Sequence, residues 1–301
     1  MRSTKIPLRV ASRIHTYHAE ANLFEMELKT PVVERVRPQG KVELYGSGER
    51  SHYQFKHEGP FRLEGIASYQ SGYTQVAGSR SLRHERQPFT LATSVVEGLN
   101  ILEVFTADRV VAQISTAHPT DGSVPEISFT GTRFENLRIA GHKVELDMNL
   151  EILGARPVDD QSYFDNRAVM DRIEKQYLNL SNSDYFPDWA TERYPRDLQG
   201  WKVTDNGADI AKCSLINNVH SNQRSFGHVI EVPHYGKFFL GELKVRRDPH
   251  QNRGEYDSYT FSLSLVRIEL GSVVTANGAV GTVNLNGQGS VGTHTDDEDP
   301  E

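Results

Sequence analysis

Val144-Glu145-Leu146-Asp147-Met148-Asn149-Leu150-Glu151-Ile152 sets five apolar residues at alternate positions with polar residues between them. Side chains along an extended chain point to opposite faces in turn, so this pattern predicts a strand with one dry and one wet face. Working outward, shorter alternations occur at Phe24/Met26/Leu28, Val42/Leu44, Tyr53/Phe55, Phe61/Leu63, Ile127/Phe129 and Phe239/Gly241/Leu243/Val245. Pro31, Pro38, Gly40, Gly59-Pro60, Pro125, Gly131 and Gly141 punctuate them. Short strands separated by turn residues predict a mainly β fold of antiparallel β-sandwich sheets. In Phe261-Ser262-Leu263-Ser264-Leu265-Val266-Arg267-Ile268-Glu269-Leu270 the apolar phase slips by one residue at Leu265-Val266, and a bulge there keeps both halves facing the core.

One segment departs from the period of two. Val169, Met170, Ile173 and Tyr177 fall at helical spacing, with Asp171, Arg172, Glu174 and Lys175 on the other face and Asp165 or Asn166 placed to cap. A helix over roughly 166–179 is expected. It opens an aromatic-rich stretch, since Tyr163, Phe164, Tyr177, Tyr185, Phe186, Trp189, Tyr194 and Trp201 concentrate eight of 27 aromatics into 39 residues, which reads as an insertion with its own small core. The expected organisation is a β-rich domain over 1–155, a helical, aromatic-rich insertion over 156–200, strands completing the sandwich over 201–270, an uncharged Gly/Asn-rich arm over 271–292 and an acidic tail over 293–301. Asn277-Gly278 and Asn286-Gly287 suit two-residue hairpin turns, so the arm is expected to form a small hairpin or meander; a flexible tail is the alternative.

Composition narrows the function classes. The 301 residues hold 33 Lys plus Arg against 40 Asp plus Glu for a net charge of −7, and the final six residues carry five of those negative charges. The remainder is nearly balanced, which argues against the broad cationic surface that a nucleic-acid backbone requires. A single Cys213 excludes an intramolecular disulfide and any CxxC metal or redox site. The N-terminal MRSTKIPLRVASRIHTYHAE lacks the apolar core of a secretory signal, and apolar runs elsewhere are far shorter than the ~20 residues of a membrane span. A soluble, cytoplasmic protein is the expectation.

Three constellations offer chemistry. Glu145, Asp147, Asn149 and Glu151 share the wet face of the opening strand, and carboxylates so spaced can hold a hard cation or act as an acid/base pair, although a solvated sheet face places polar residues there in any case. His15 and His18 form a lone HxxH without the further ligands of a zinc site. Trp189, Tyr194 and Trp201 beside Arg193 and Arg196 could form a platform for a sugar ring or an apolar group of a partner, against which stands ordinary packing around a short helix. GxSxG, GxxxxGK[ST] and strand-to-helix GxGxxG patterns are missing, Cys213 lies in an apolar neighbourhood that suggests an inert thiol, and no cofactor is implied.

Thr93-Ser94-Val95-Val96-Glu97-Gly98-Leu99-Asn100-Ile101-Leu102-Glu103-Val104-Phe105-Thr106-Ala107-Asp108-Arg109-Val110, followed by Asn136-Leu137-Arg138-Ile139-Ala140-Gly141, resembles a signature of the bacterial choice-of-anchor P proteins. HVIEVPHYGKFFLGELKV and FSLSLVRIELGS are similar to β-hairpin text in bacterial proteins of unknown function. The resemblance covers about a quarter of the chain and implies a β-rich, non-catalytic surface or assembly module; it supplies no catalytic residues, and the chain shows neither that family's signal peptide nor its anchor.

The expectation is therefore a non-catalytic structural or interaction protein that forms a homo-oligomer through sheet edges or its C-terminal arm. A carbohydrate- or protein-binding module using Trp189, Arg193, Tyr194, Arg196 and Trp201 is the second class. A cation-dependent hydrolase using Glu145, Asp147 or Glu151 is the third.

Overall fold

Alternate-residue burial does organise the chain. A computed structural model describes residues 15–47, 50–63, 65–80, 87–119, 124–157, 162–181, 186–193, 202–205, 207–248, 257–271 and 274–288. Its strands are β1 (Thr16–Thr30), β2 (Glu34–Gln39), β3 (Val42–Ser47), β4 (His52–Glu58), β5 (Phe61–Leu63), β6 (Ala67–Tyr69), β7 (Ser71–Arg80), β8 (Pro88–Ile101), β9 (Phe105–Ala117), β10 (Glu126–Ser128), β11 (Arg133–Glu135), β12 (Arg138–Ile139), β13 (His142–Lys143) and β14 (Glu145–Met148). Two helices follow, α1 (Arg167–Ser181) and α2 (Asp188–Arg193). The chain returns to strands with β15 (Lys202–Asp205), β16 (Ala208–Ser214), β17 (Ile216–His220), β18 (Arg224–Phe226), β19 (Val229–Val232), β20 (Gly236–Asp248), β21 (Ser258–Gly271) and β22 (Thr275–Gln288).

The strands form two large antiparallel sheets, consistent with a β-sandwich. One runs β15-β16-β20-β21-β22-β1-β2, with β3 on β1 and the β18-β19 pair on β20. The other runs β13-β12-β9-β8-β6-β5, with β10 and β11 on β9, β7 on β8 and β4 on β7. The apolar faces meet in one core, where Phe105 of β9 stacks on Phe238 of β20 at 4.8 Å between centroids. Because β1 pairs with β22, segments near both ends of the chain lie side by side in the first sheet.

Three expectations change in detail. The opening stretch supplies only four strand residues, β14, paired with β17 in a two-stranded sheet, where Leu146 and Met148 are half-buried. The strand stops because Asn149 N–H donates to Leu215 O at 2.7 Å while its side-chain oxygen accepts from Glu151 N at 3.2 Å, turning the chain before Ile152. The uncharged C-terminal segment is not a hairpin arm. Over Thr275–Gln288 it is one continuous strand paired with β21 on one side and β1 on the other, and both Asn-Gly pairs lie inside it. Ala276, Val280, Val283 and Leu285 are buried along it, and that alternation outweighs the turn preference of Asn-Gly. Tyr53 and Phe55 alternate on β4, yet both point outward and are exposed.

The phase slip at Leu265-Val266 is present and has counterparts on its neighbours. Consecutive buried residues occur at Leu240-Gly241, Leu265-Val266, Val280-Gly281 and Leu23-Phe24, at one level across β20, β21, β22 and β1. Since each strand carries the extra residue, the pairing of β21 stays in register on both sides, with Leu240 opposite Val266 and Glu242 opposite Ser264. Gly241 (φ 65°) and Gly281 (φ 63°) adopt the left-handed backbone this kink uses on alternate strands.

The helix forms at Arg167–Ser181. Asn166 caps it, its Oδ1 accepting from Val169 N at 3.3 Å, and Val169, Ile173, Tyr177 and Leu180 make the buried stripe. Among the described residues no helix is long and apolar enough to cross a membrane.

Candidate functional site

Helix α1 is fixed to the first sheet through the end of β16, where the backbone of Ser214 is open. The Gln176 amide pairs with that backbone as a strand would: Nε2 donates to Ser214 O and Oε1 accepts from Ser214 N, both at 2.8 Å. Between the helix and the sheet lies a cavity of about 470 Å³, within the range of sites that hold small organic ligands. Ile173, Tyr177 and Leu180 line it from α1, and Arg193 enters from α2.

Cross-strand register gives the sheet side of the cavity its order. Lys212 stands opposite Lys244, and Lys244 opposite Ser262. In the next row Ser214 faces Glu242, Glu242 faces Ser264 and Ser264 faces Thr282. Beyond the kink Phe239 is opposite Arg267. The two lysines are exposed, and among the described residues neither has a carboxylate within 4.0 Å. Ser264 Oγ and Thr282 Oγ1 are buried without a hydrogen-bond partner.

The far end is a compact ionic cluster. Glu242 accepts from Arg193 Nη2 at 2.9 Å through Oε1 and is ion-paired with Arg267, whose Nε lies 2.9 Å from Oε2, with His228 Nε2 at 3.7 Å. Arg193 Nη1 and Arg267 Nη2 also reach Glu269 Oε1, at 2.7 and 3.0 Å. Both guanidinium groups lie over the Phe239 ring, at 3.8 and 4.6 Å from its centroid. Burial pushes the Glu242 carboxyl upward, but His228 and Arg193 outweigh it and hold the group below the usual carboxylate range. Glu242 is thus favoured as an anion among Arg193, Arg267 and His228. Cys213, also lining the cavity, has its thiol pushed up to about 12 by burial and stays protonated.

Of the aromatic platform expected from sequence, Trp189 and Arg193 come together at this cluster. The Trp189 indole is half-buried against Phe226 and Phe239, at centroid distances of 5.5 and 6.0 Å, with Lys237 Nζ 3.9 Å from its ring. Tyr194, Arg196 and Trp201 lie outside the described residues. Glu145 and Asp147 are exposed on β14, Glu145 ion-paired with Lys143 at 3.7 Å, while Glu151 is exposed in the turn that follows the strand. His15 packs on His118 at 4.4 Å and His18 on Tyr45 at 4.2 Å, so the two do not converge. No group of three or more His, Cys, Asp or Glu side chains placed to hold a metal occurs among the described residues.

Sequence reasoning missed Lys212, Lys244, His228, Glu242 and Arg267. Lys212, Lys244, Glu242 and Arg267 look like ordinary polar residues on half-buried strands and His228 like a turn residue between β18 and β19, and only the pairing of β16, β19, β20 and β21 assembles them.

Fold and site together define a mainly β protein whose antiparallel sheet carries a helix-roofed, cation-rich cavity. The chain belongs to a family described as a domain of unknown function (DUF8256), whose model matches residues 15–246. That range ends inside β20, so the central strands β21 and β22 fall outside it. No curated protein and no solved structure matches the chain.

Proposed function

We propose that this chain is a non-catalytic binding module that holds a negatively charged small molecule in the cavity between α1 and the first sheet. The carrying observation is the Lys212–Lys244 pair, two exposed cations directly opposite each other at the cavity wall with no carboxylate of the described residues within 4.0 Å. Like charges so placed destabilise a sheet, and a bound anion reverses the sign of that interaction. A binding role is further supported by the state of the groups that could react: Glu242 is engaged by Arg193, Arg267 and His228, and Cys213 is a protonated thiol.

The test is thermal unfolding in sodium phosphate against sodium chloride at matched ionic strength, for the wild type and Lys212→Gln/Lys244→Gln. A ligand at tenfold its Kd stabilises by about 1.4 kcal/mol, so the wild type gains Tm in phosphate and the double variant does not. An equal gain in both refutes the assignment.

Self-association is a second reading, favoured by β4. Among the described residues this seven-residue strand pairs only with β7, and it exposes Tyr53 and Phe55, 62% and 51% accessible. An open, aromatic sheet edge can accept the edge of a second copy. Phe55→Lys should then lower the mass measured by light scattering, and a monomeric wild type would end this reading.

A further inference from the structure

We infer that the ligand is an amphiphilic anion, an acidic head group carrying an apolar body, which is a narrower statement that rests on the anion-binding reading above. The cavity has two chemistries arranged along one axis. Its lysine row lies at one end of the sheet face, and the Arg193–Glu242–Arg267 cluster closes the other. Lys244 and Phe239 mark these ends five residues apart on β20, about 16 Å for an extended strand. Between them the helix side is mainly hydrocarbon from Ile173, Tyr177 and Leu180, the Gln176 amide being engaged with the Ser214 backbone. The sheet side there carries the short side chains of Ser262, Ser264 and Thr282, and Cys213, Leu243 and Leu263 also line it.

A small inorganic anion would occupy the lysine end and leave the apolar wall unused. An uncharged hydrocarbon would fill the middle and leave both lysines uncompensated. At the far end Arg193 and Arg267 are already neutralised by Glu242 and Glu269, so that end does not call for a second acidic group. Only a molecule with one acidic end and an apolar body satisfies both features, its head between Lys212 and Lys244 and its body along α1.

Calorimetric titration of the whole chain with decanoate, decanol and inorganic phosphate separates the possibilities. Decanoate, kept below its micelle threshold, should bind one to one and at least tenfold more tightly than either other probe. Lys212→Gln/Lys244→Gln should weaken decanoate by about tenfold or more, since a charge-assisted contact to each head-group oxygen is lost. Ser264→Val, which adds bulk to the cavity wall and keeps a strand-forming residue, should block decanoate while the circular dichroism spectrum is unchanged. Phosphate binding as tightly as decanoate, with dependence on the two lysines, would overturn the amphiphile and leave the anion site standing. Decanol matching decanoate, with no effect of the double variant, would overturn both. Undetectable decanoate binding, or binding that Ser264→Val leaves intact, also overturns the amphiphile assignment.

Discussion

Acid should destabilise this protein well before its carboxylates titrate, because of two buried histidines whose rings pack against each other at a tilt. His15 and His118 are buried, their rings 4.4 Å apart, and His118 Nε2 lies 3.2 Å from Thr116 Oγ1. Burial first, and the nearby Arg80 charge second, lower His15 from 6.5 to about 4. Burial and His15 itself lower His118 well below the ordinary value. A folded-state pKa below the unfolded one means the fold favours the neutral ring. The resulting stability is complete above the unfolded value of 6.5 and is lost progressively as pH falls toward 4. For His15 alone, linkage gives a loss of about 2 kcal/mol between about pH 7.5 and about pH 5, or roughly 4 °C in Tm for a domain this large. His118 and the half-buried His18, also lowered, act in the same direction. Asp165 and Glu242, whose carboxyls are held low, lose their contributions only at or below the carboxylate range, so the interval between about pH 6.5 and about pH 5 belongs to the histidines. The assay is Tm against pH for the wild type and His15→Gln/His118→Gln, read as a slope so that any constant cost of substitution cancels. The double variant should show a flatter slope through that interval. Identical slopes, or a His15 ring that titrates near 6.5 by NMR, would refute the reasoning.

Other outcomes follow from the sheets. Truncation after Leu270 deletes β22 and strips the partner from both β21 and β1; the shortened chain should fail to give a cooperative melting transition, and a folded product would contradict the central placement of that strand. Gln176→Ala removes the amide that satisfies both backbone groups of Ser214 and should cost about 1–3 kcal/mol in urea unfolding. Gly281→Ala should cost about 1–2 kcal/mol, a backbone cost, because a methyl group there meets Ala112 and Leu265 at only ordinary contact, 3.5 Å; no loss in chemical denaturation would argue against the left-handed kink.

The sequence shows faces more readily than neighbours. Alternation at Phe24/Met26/Leu28 and at Phe261/Leu263 marks buried faces that the structure contains, and the 3.6-residue spacing of Val169, Ile173 and Tyr177 marks the stripe α1 buries. Tyr53/Phe55 shows the limit, because the same alternation serves an outward aromatic face on an edge strand. Asn277-Gly278 shows another: turn propensity is local, whereas pairing with Glu27 on one side and with Ile268 and Glu269 on the other is set by contacts hundreds of residues away or across a loop. The cavity was out of reach for a related reason. Lys212 and Lys244 are 32 positions apart in the chain, and their opposition depends on strand register.

The kink across four strands connects the fold to the site. In a regular strand Phe239 would share its face with Gly241, Leu243 and Val245, as the sequence suggests. The extra residue at Gly241 instead leaves Leu243 and Val245 in the core, while Phe239 lies beneath Arg193 and Arg267 and Glu242 lines the cavity. On β21 the same shift sets Ser264 and Arg267 three positions apart at the cavity wall. Without it, a strand that buries Leu263 could not also present Arg267 to Glu242, because side chains of even spacing share a face. The ion cluster that closes the cavity therefore exists because the sheet is kinked. A substitution that straightens β20 or β22, such as Gly241→Val, should disturb Arg193, Glu242 and Arg267 together while Lys212 and Lys244 remain opposite each other.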